Sequence, residues 1–205
     1  MKKNILITAA VITTVIATSG CGNSPDEPKL TGAPVDPATA SSSSPAAATA
    51  TPAPRSPRGN LIKKVGEPAL VLIEEGSKDW ALNFTVTDIQ VDPGCTSPQA
   101  VPAENGHFVV VSLEAATVAE PEFSEVLGGV HFGGWKAIAS NGTTVNNVMS
   151  TASFSCLGSA ERIPSSMGAA EKVAGKVVLD VPDVSGTLVH TQGGGTGWEW
   201  EYDAK

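Results

Sequence analysis

The chain has 205 residues, with 13 basic against 21 acidic side chains and a formal charge of −8 at pH 7. That balance argues against a nucleic-acid partner, because such binding is led by lysine and arginine neutralising phosphates. It also disfavours electrostatic adhesion to anionic lipid heads, so the acidity reads as solubility.

The first predicted element is an export signal. Lys2 and Lys3 precede an apolar run from Ile5 to Ala17, and small residues then lead through Thr18-Ser19-Gly20 to Cys21. Positive charge, apolar stretch and small residues in that order are a secretory signal. The cysteine at the cut makes it a bacterial lipoprotein signal spanning residues 1–20, although Thr18 stands where such signals usually carry leucine. Cys21 is then the lipidated residue. An uncut membrane anchor is the poorer reading, since the run holds 13 residues and a spanning helix needs about 20. Losing Lys2 and Lys3 with the signal leaves 11 basic against 21 acidic residues, a formal charge of −10. The expected location is the outer face of the bacterial cytoplasmic membrane, with the lipid as the membrane attachment.

Residues 21–60 read as the lipidated cysteine and a disordered linker. Residues 22–60 hold 8 of the 15 prolines and the run Ser41-Ser42-Ser43-Ser44, and no aromatic occurs before Trp80. Such a composition cannot found a core. As a flexible coil it spans about 35 Å, and in an extended Pro-rich form up to about 120 Å.

Residues 61–205 carry all ten aromatics and read as strands. From Trp80 to Thr87 large apolar residues alternate with small or polar ones, the period of a half-buried strand. The apolar phase then slips to Ile89 and Val91, which predicts a bulge near Thr87-Asp88. Phe108 to Val111 is apolar at every position, as a centrally placed strand would be. Stretches 131–139 and 143–148 flank Ser140-Asn141-Gly142, a hairpin turn signal. A helix-like piece of a turn or two falls at Ala152 to Leu157. Val173 to Val181 is a strand stopped by Pro182. Two final strands, 187–192 and 198–202, flank Gly193 to Gly197, with Trp198, Trp200 and Tyr202 on one face and Glu199, Glu201 and Asp203 on the other. Seven to eight short strands predict an all-β, immunoglobulin-like antiparallel β-sandwich.

With Cys21 assigned to lipid, Cys95 and Cys156 remain in an exported chain, where disulfides form and persist. The expected bridge closes a loop of about 62 residues and restricts the unfolded chain by roughly 4 kcal/mol.

Four blocks carry a family resemblance: WALNFTVTDIQVD at 80–92, GHFVVVSLEA at 106–115, SNGTTV at 140–145 and GKVVLDVP at 175–182. In their order and spacing they resemble the telokin-like, immunoglobulin-like domain family of secreted actinobacterial lipoproteins, a family of unknown function. The similarity covers roughly residues 66–192. In place of the polar turn that commonly follows the FVVV-like strand in that family, residues 115–123 run on through Ala-Thr-Val-Ala-Glu-Pro. The resemblance implies a sandwich exported to the cell surface and carries over no catalytic residue.

Motifs for chemistry are missing from the sequence. It holds no GxSxG, SxxK or HExxH motif and no EF-hand loop. His107, His131 and His190 lack ligand spacing; a fold that gathered them with Met149 and Met167 would offer a soft copper site, and otherwise they are strand-end or surface residues. Glu199, Glu201 and Asp203 read as a solvated strand face that discourages edge pairing. Gly193 to Gly197 lacks the GK[ST] ending of a phosphate cradle. Gly193, Gly194, Gly195 and Trp198 form the candidate binding loop, since aromatics beside glycines suit sugar or protein contacts; a core role for Trp198, Trp200 and Tyr202 fits their shared face equally. The expectation is a lipid-anchored, non-catalytic binding module of the cell envelope, without cofactor or metal, meeting an envelope protein or cell-wall ligand. A small-ligand or metal (copper or zinc) carrier is the alternative.

Overall fold

The computed structural model describes residues 54–192 and 197–204. Cys21, the signal, the linker through residue 53 and Gly193 to Gly195 lie outside the described residues.

Among the described residues, ten strands and two short helices follow in chain order: β1 Leu61–Ile62, β2 Pro68–Leu72, β3 Trp80–Val91, β4 His107–Thr117, α1 Glu122–Val126, β5 Val130–His131, β6 Trp135–Ala139, α2 Thr151–Cys156, β7 Ser166–Met167, β8 Lys172–Val181, β9 Ser185–His190 and β10 Trp198–Asp203. They make an all-β, immunoglobulin-like sandwich. One sheet has the order β1-β10-β9-β6 and the other β2-β3-β4-β8, while β5 and β7 form a separate two-stranded ladder.

The apolar phase of each strand sets its place. On β3, Leu82, Phe84 and Val86 are buried, and the register against β4 shifts between Val86 and Asp88. The bulge therefore stands where the sequence phase slips, and it returns Ile89 and Val91 to the core side. On β4, Val109, Val111, Leu113 and Ala115 join the main core between the sheets. Phe108 and Val110 point the other way and pack with Ala152, Cys156, Leu157 and Val178 in a second cluster. Strand β4 is buried on both faces there because α2 covers the outside of its sheet.

Four differences from the sequence reading bear on the site. The 131–139 stretch is two strands, β5 and β6, parted by Phe132, Gly133 and Gly134. At Gly134 a Cβ would stand 2.6 Å from the Thr191 carbonyl oxygen, so the backbones approach there as only glycine allows. The turn at Ser140-Asn141-Gly142 forms, with Gly142 at φ +84°, but its return arm is one bridge, Thr144 against Ile138, before the chain leaves towards α2. An added helix, α1, buries Phe123 on the connection after β4. Finally, β1 runs parallel to β10, pairing Leu61 with Trp198 and Ile62 with Glu199, so the sheets are not wholly antiparallel. Almost the whole domain separates these two strands, and no short turn forces them to run in opposite directions.

Order extends into the stretch read as linker. The Ser56 amide donates to the Asn60 carbonyl at 2.9 Å, the Ile62 amide to the Pro54 carbonyl at 2.9 Å, and Ser56 is buried. Residues 54–60 thus pack on the edge of the β10 sheet.

Candidate functional site

Trp198 is a core residue, which corrects its assignment to a binding loop. It is 4% exposed and meets Phe84 edge-on at 5.1 Å between ring centres. Trp200 and Tyr202 are buried on the same face. Period-two alternation placed these three rings together, and the main core takes all of them.

The opposite face of β10 is not uniformly solvated. Glu201 and Asp203 are exposed, but Glu199 is 3% exposed. Its carboxylate accepts from the Arg58 guanidinium through two nitrogens at 2.8 Å each, from Asn60 Nδ2 at 2.7 Å and from Ser56 Oγ at 3.0 Å. Burial pushes this carboxyl up, yet the donors of Arg58, Asn60 and Ser56 outweigh it and hold the group below the usual glutamate range. The arrangement pins residues 56–60 to β10 and leaves no room for acid–base work.

The histidines occupy three different settings. His107 Nδ1 lies 2.7 Å from Asp92 on the surface, and His131 is exposed. His190 is fully buried among aromatics, with ring centres at 4.7 Å to Trp135, 5.4 Å to Phe84 and 6.3 Å to Phe132. Burial drives its pKa down to about 4; the Gly134 backbone opposes that shift without reaching hydrogen-bond geometry. The Gln192 amide nitrogen, which donates to the His131 carbonyl at 2.9 Å, stands 3.2 Å from His190 Nε2. His190 is therefore a neutral core residue. Among the described residues no three His, Cys, Asp or Glu side chains gather as a metal would require.

The cysteines pair as expected. Cys95 and Cys156 form a disulfide with a Cα–Cα distance of 4.7 Å. The amides of Thr96 and Ser97 both donate to the Cys156 carbonyl at 3.0 Å. The bridge therefore fastens the loop after β3 to the end of α2, whose start is capped by the Ser150 side chain accepting from the Ser153 amide.

This clamped helix forms one wall of a cleft of about 620 Å³ that no sequence motif announced. Its walls come from His131 and Phe132 at the end of β5, from Met149, Ser153 and Phe154 at α2, from Ser159 and residues 162–165, and from Lys176, Val177 and Val178 on β8. The 161–163 segment is laid along β8 by backbone bonds, Lys176 amide to Glu161 carbonyl at 2.9 Å and Ile163 amide to Lys176 carbonyl at 3.0 Å. A Cβ at residue 175 would lie 2.5 Å from the Ile163 nitrogen, so Gly175 permits this approach. Phe154 stands at the rim with 51% of its surface exposed, the one aromatic among the large exposed apolar residues described.

Arg162 and Lys176 are the charged residues of the lining, and no carboxylate lines it. Arg162 Nη1 donates to the Phe154 carbonyl at 3.3 Å, while Lys176 Nζ sits 3.4 Å from Glu161 just outside the lining. The Glu161 carboxylate is lowered in pKa, chiefly by the Thr96 hydroxyl that donates to it. A concave apolar surface with a few placed polar groups is the usual form of a small-molecule site.

No family model matches the chain, and no curated protein matches it. The resemblance to the telokin-like family therefore rests on the sequence blocks alone. Among solved structures the chain is similar to MPT63, a secreted protein from Mycobacterium tuberculosis, with 14% identity and a TM-score of 0.44 over 69% of this chain and 97% of that one.

Proposed function

We propose that the protein is an exported, lipid-anchored, non-catalytic binding module of the bacterial cell envelope, and that the cleft between α2 and β8 is its binding surface. The cleft itself carries this reading: about 620 Å³, within the range of small-ligand sites, with one wall fixed by a disulfide. The export signal ending at Cys21 and the use of Cys95 and Cys156 as a bridge support a place outside the cytoplasm. Export and anchoring put the cleft within reach of envelope components, and the linker supplies the distance. The carrier alternative uses the same cleft, whose size favours a small ligand over a metal.

The test is a photo-crosslinking residue at position 154 in cells, with one at Glu74 as control and a Cys21→Ser strain to release the chain. Partners or ligands captured from position 154 alone, and reduced in the Cys21→Ser strain, are the expected result. Equal capture from both positions would remove the cleft from the proposal. Saturable hydrolysis abolished by one acidic or histidine substitution would replace the binding reading with an enzymatic one.

A further inference from the structure

Resting on the reading of the cleft as a binding surface, we infer that its ligand is a small amphipathic anion, an alkyl chain or comparable apolar body ending in one carboxylate or similar acidic group. The charge distribution points there. The chain carries 21 acidic against 13 basic residues, yet the charged residues lining the cleft are two cations, Arg162 and Lys176. An acidic protein whose apolar cleft is lined by two cations and the His131 imidazole, with no carboxylate, is complementary to a negative group attached to an apolar one.

The parts divide the work. Met149, Ile163, Val177 and the ring of Phe154 offer the apolar body a surface already shielded from water on one side. Phe154, half exposed at the mouth, offers a ring that a bound apolar body would cover. Arg162 makes a single long bond to the Phe154 carbonyl, so most of its planar set of donors faces outward and can meet a carboxylate in bidentate fashion. Lys176 contributes less, being shared with Glu161. That carboxylate acts as an internal competitor for the same cation, and removing its charge frees Lys176 for the ligand. Ser153, Ser159, Ser165 and His131 make up the rest of the polar wall.

The experiment uses the exported chain from residue 21 with its linker, carrying Cys21→Ser, and three probes of one length: decanoate, 1-decanol and decyltrimethylammonium. Titration calorimetry and amide chemical shifts read affinity and place. Decanoate is expected to bind with shifts at residues 154, 162, 163 and 176, the alcohol more weakly, and the cation not at all. Arg162→Gln should weaken decanoate roughly tenfold, the scale of one charge-assisted hydrogen bond, and leave the alcohol unchanged. Glu161→Gln should tighten decanoate several-fold, a gain that misfolding cannot imitate, and added salt should weaken it. Equal affinity for decanoate and decanol, or no effect of either substitution, overturns the inference. So does failure of decanoate to bind the folded chain; capture from position 154 in cells would then still stand, separating the ligand class from the binding reading.

Discussion

His190 is the residue whose surroundings depart furthest from those of an ordinary histidine. Folded, its pKa lies at about 4 against an ordinary value of 6.5, because burial among Trp135, Phe84 and Phe132 disfavours the charged ring. Above pH 6.5 the ring is neutral folded or unfolded, and the shift has no effect on stability. Between pH 6.5 and about 4 the unfolded chain binds a proton that the folded chain refuses, so stability falls as the pH drops. The full effect is about 3 kcal/mol. Urea midpoints measured from pH 7 to pH 5 should therefore decline, and His190→Phe should flatten that slope. An unchanged slope in the variant would assign the proton to another group. Glu199 makes a second prediction at this scale. Replacing it with alanine strands the donors of Ser56, Asn60 and Arg58 and should cost about 2 to 3 kcal/mol, since Arg58 can rehydrate. Arg58→Ala leaves a buried carboxylate behind, and the double variant Arg58→Ala with Glu199→Gln should recover part of that loss. Strict additivity in the unfolding free energies would mean that the pair is not coupled.

Among the elements, β8 joins core to site. Its Val177, Leu179 and Val181 belong to the main core, Val178 lies under α2, and Lys176 reaches the cleft. One residue before Lys176, Gly175 lets the 161–163 segment lie close. An added methyl would stand 2.5 Å and 2.6 Å from Ile163 backbone atoms and 2.9 Å from the Arg162 carbonyl carbon. Backbone, unlike the tip of a long side chain, cannot step aside cheaply. Gly175→Ala should therefore cost about 1 to 3 kcal/mol and shift the amide resonances of residues 161–163. It should also displace Arg162 from the cleft, weakening any anion bound there. A variant with native stability and unchanged resonances would show that the segment is not held by this contact.

For the whole molecule the disulfide matters most through the unfolded chain. Cys95 and Cys156 are separated by 61 positions, and closing so long a loop contributes roughly 4 kcal/mol by the chain-entropy argument. Cys95→Ser and Cys156→Ser should each lower the unfolding free energy by a similar amount, and the double variant by little more. Clearly additive losses would show two thiols acting independently. The same bridge fixes α2 as a wall of the cleft, so reducing it should also loosen ligand contacts near Phe154 while the two sheets persist.

Much of this protein is legible in its sequence because alternation along a strand depends on neighbouring residues. The phase of residues 80–91 determined strand β3 and its bulge, the apolar run 108–111 a strand covered on both faces, and the cysteine count the bridge. The proposed lipoprotein signal at Cys21 likewise rests on adjacent residues alone. Tertiary structure alone decided what covers each outward face. Glu199 alternates correctly with Trp198 and Trp200, yet Arg58, from about 140 positions earlier, turns its expected solvated site into a buried carboxylate paired with a half-exposed arginine. Trp198 lies beside the glycines in sequence but under Phe84 in space. The cleft belongs to the same class of fact: Phe132, Phe154, Arg162 and Lys176 meet only because a helix clamped by a disulfide and a segment laid along Gly175 close over the same strand. Packing between distant segments has no period, so no local pattern records it.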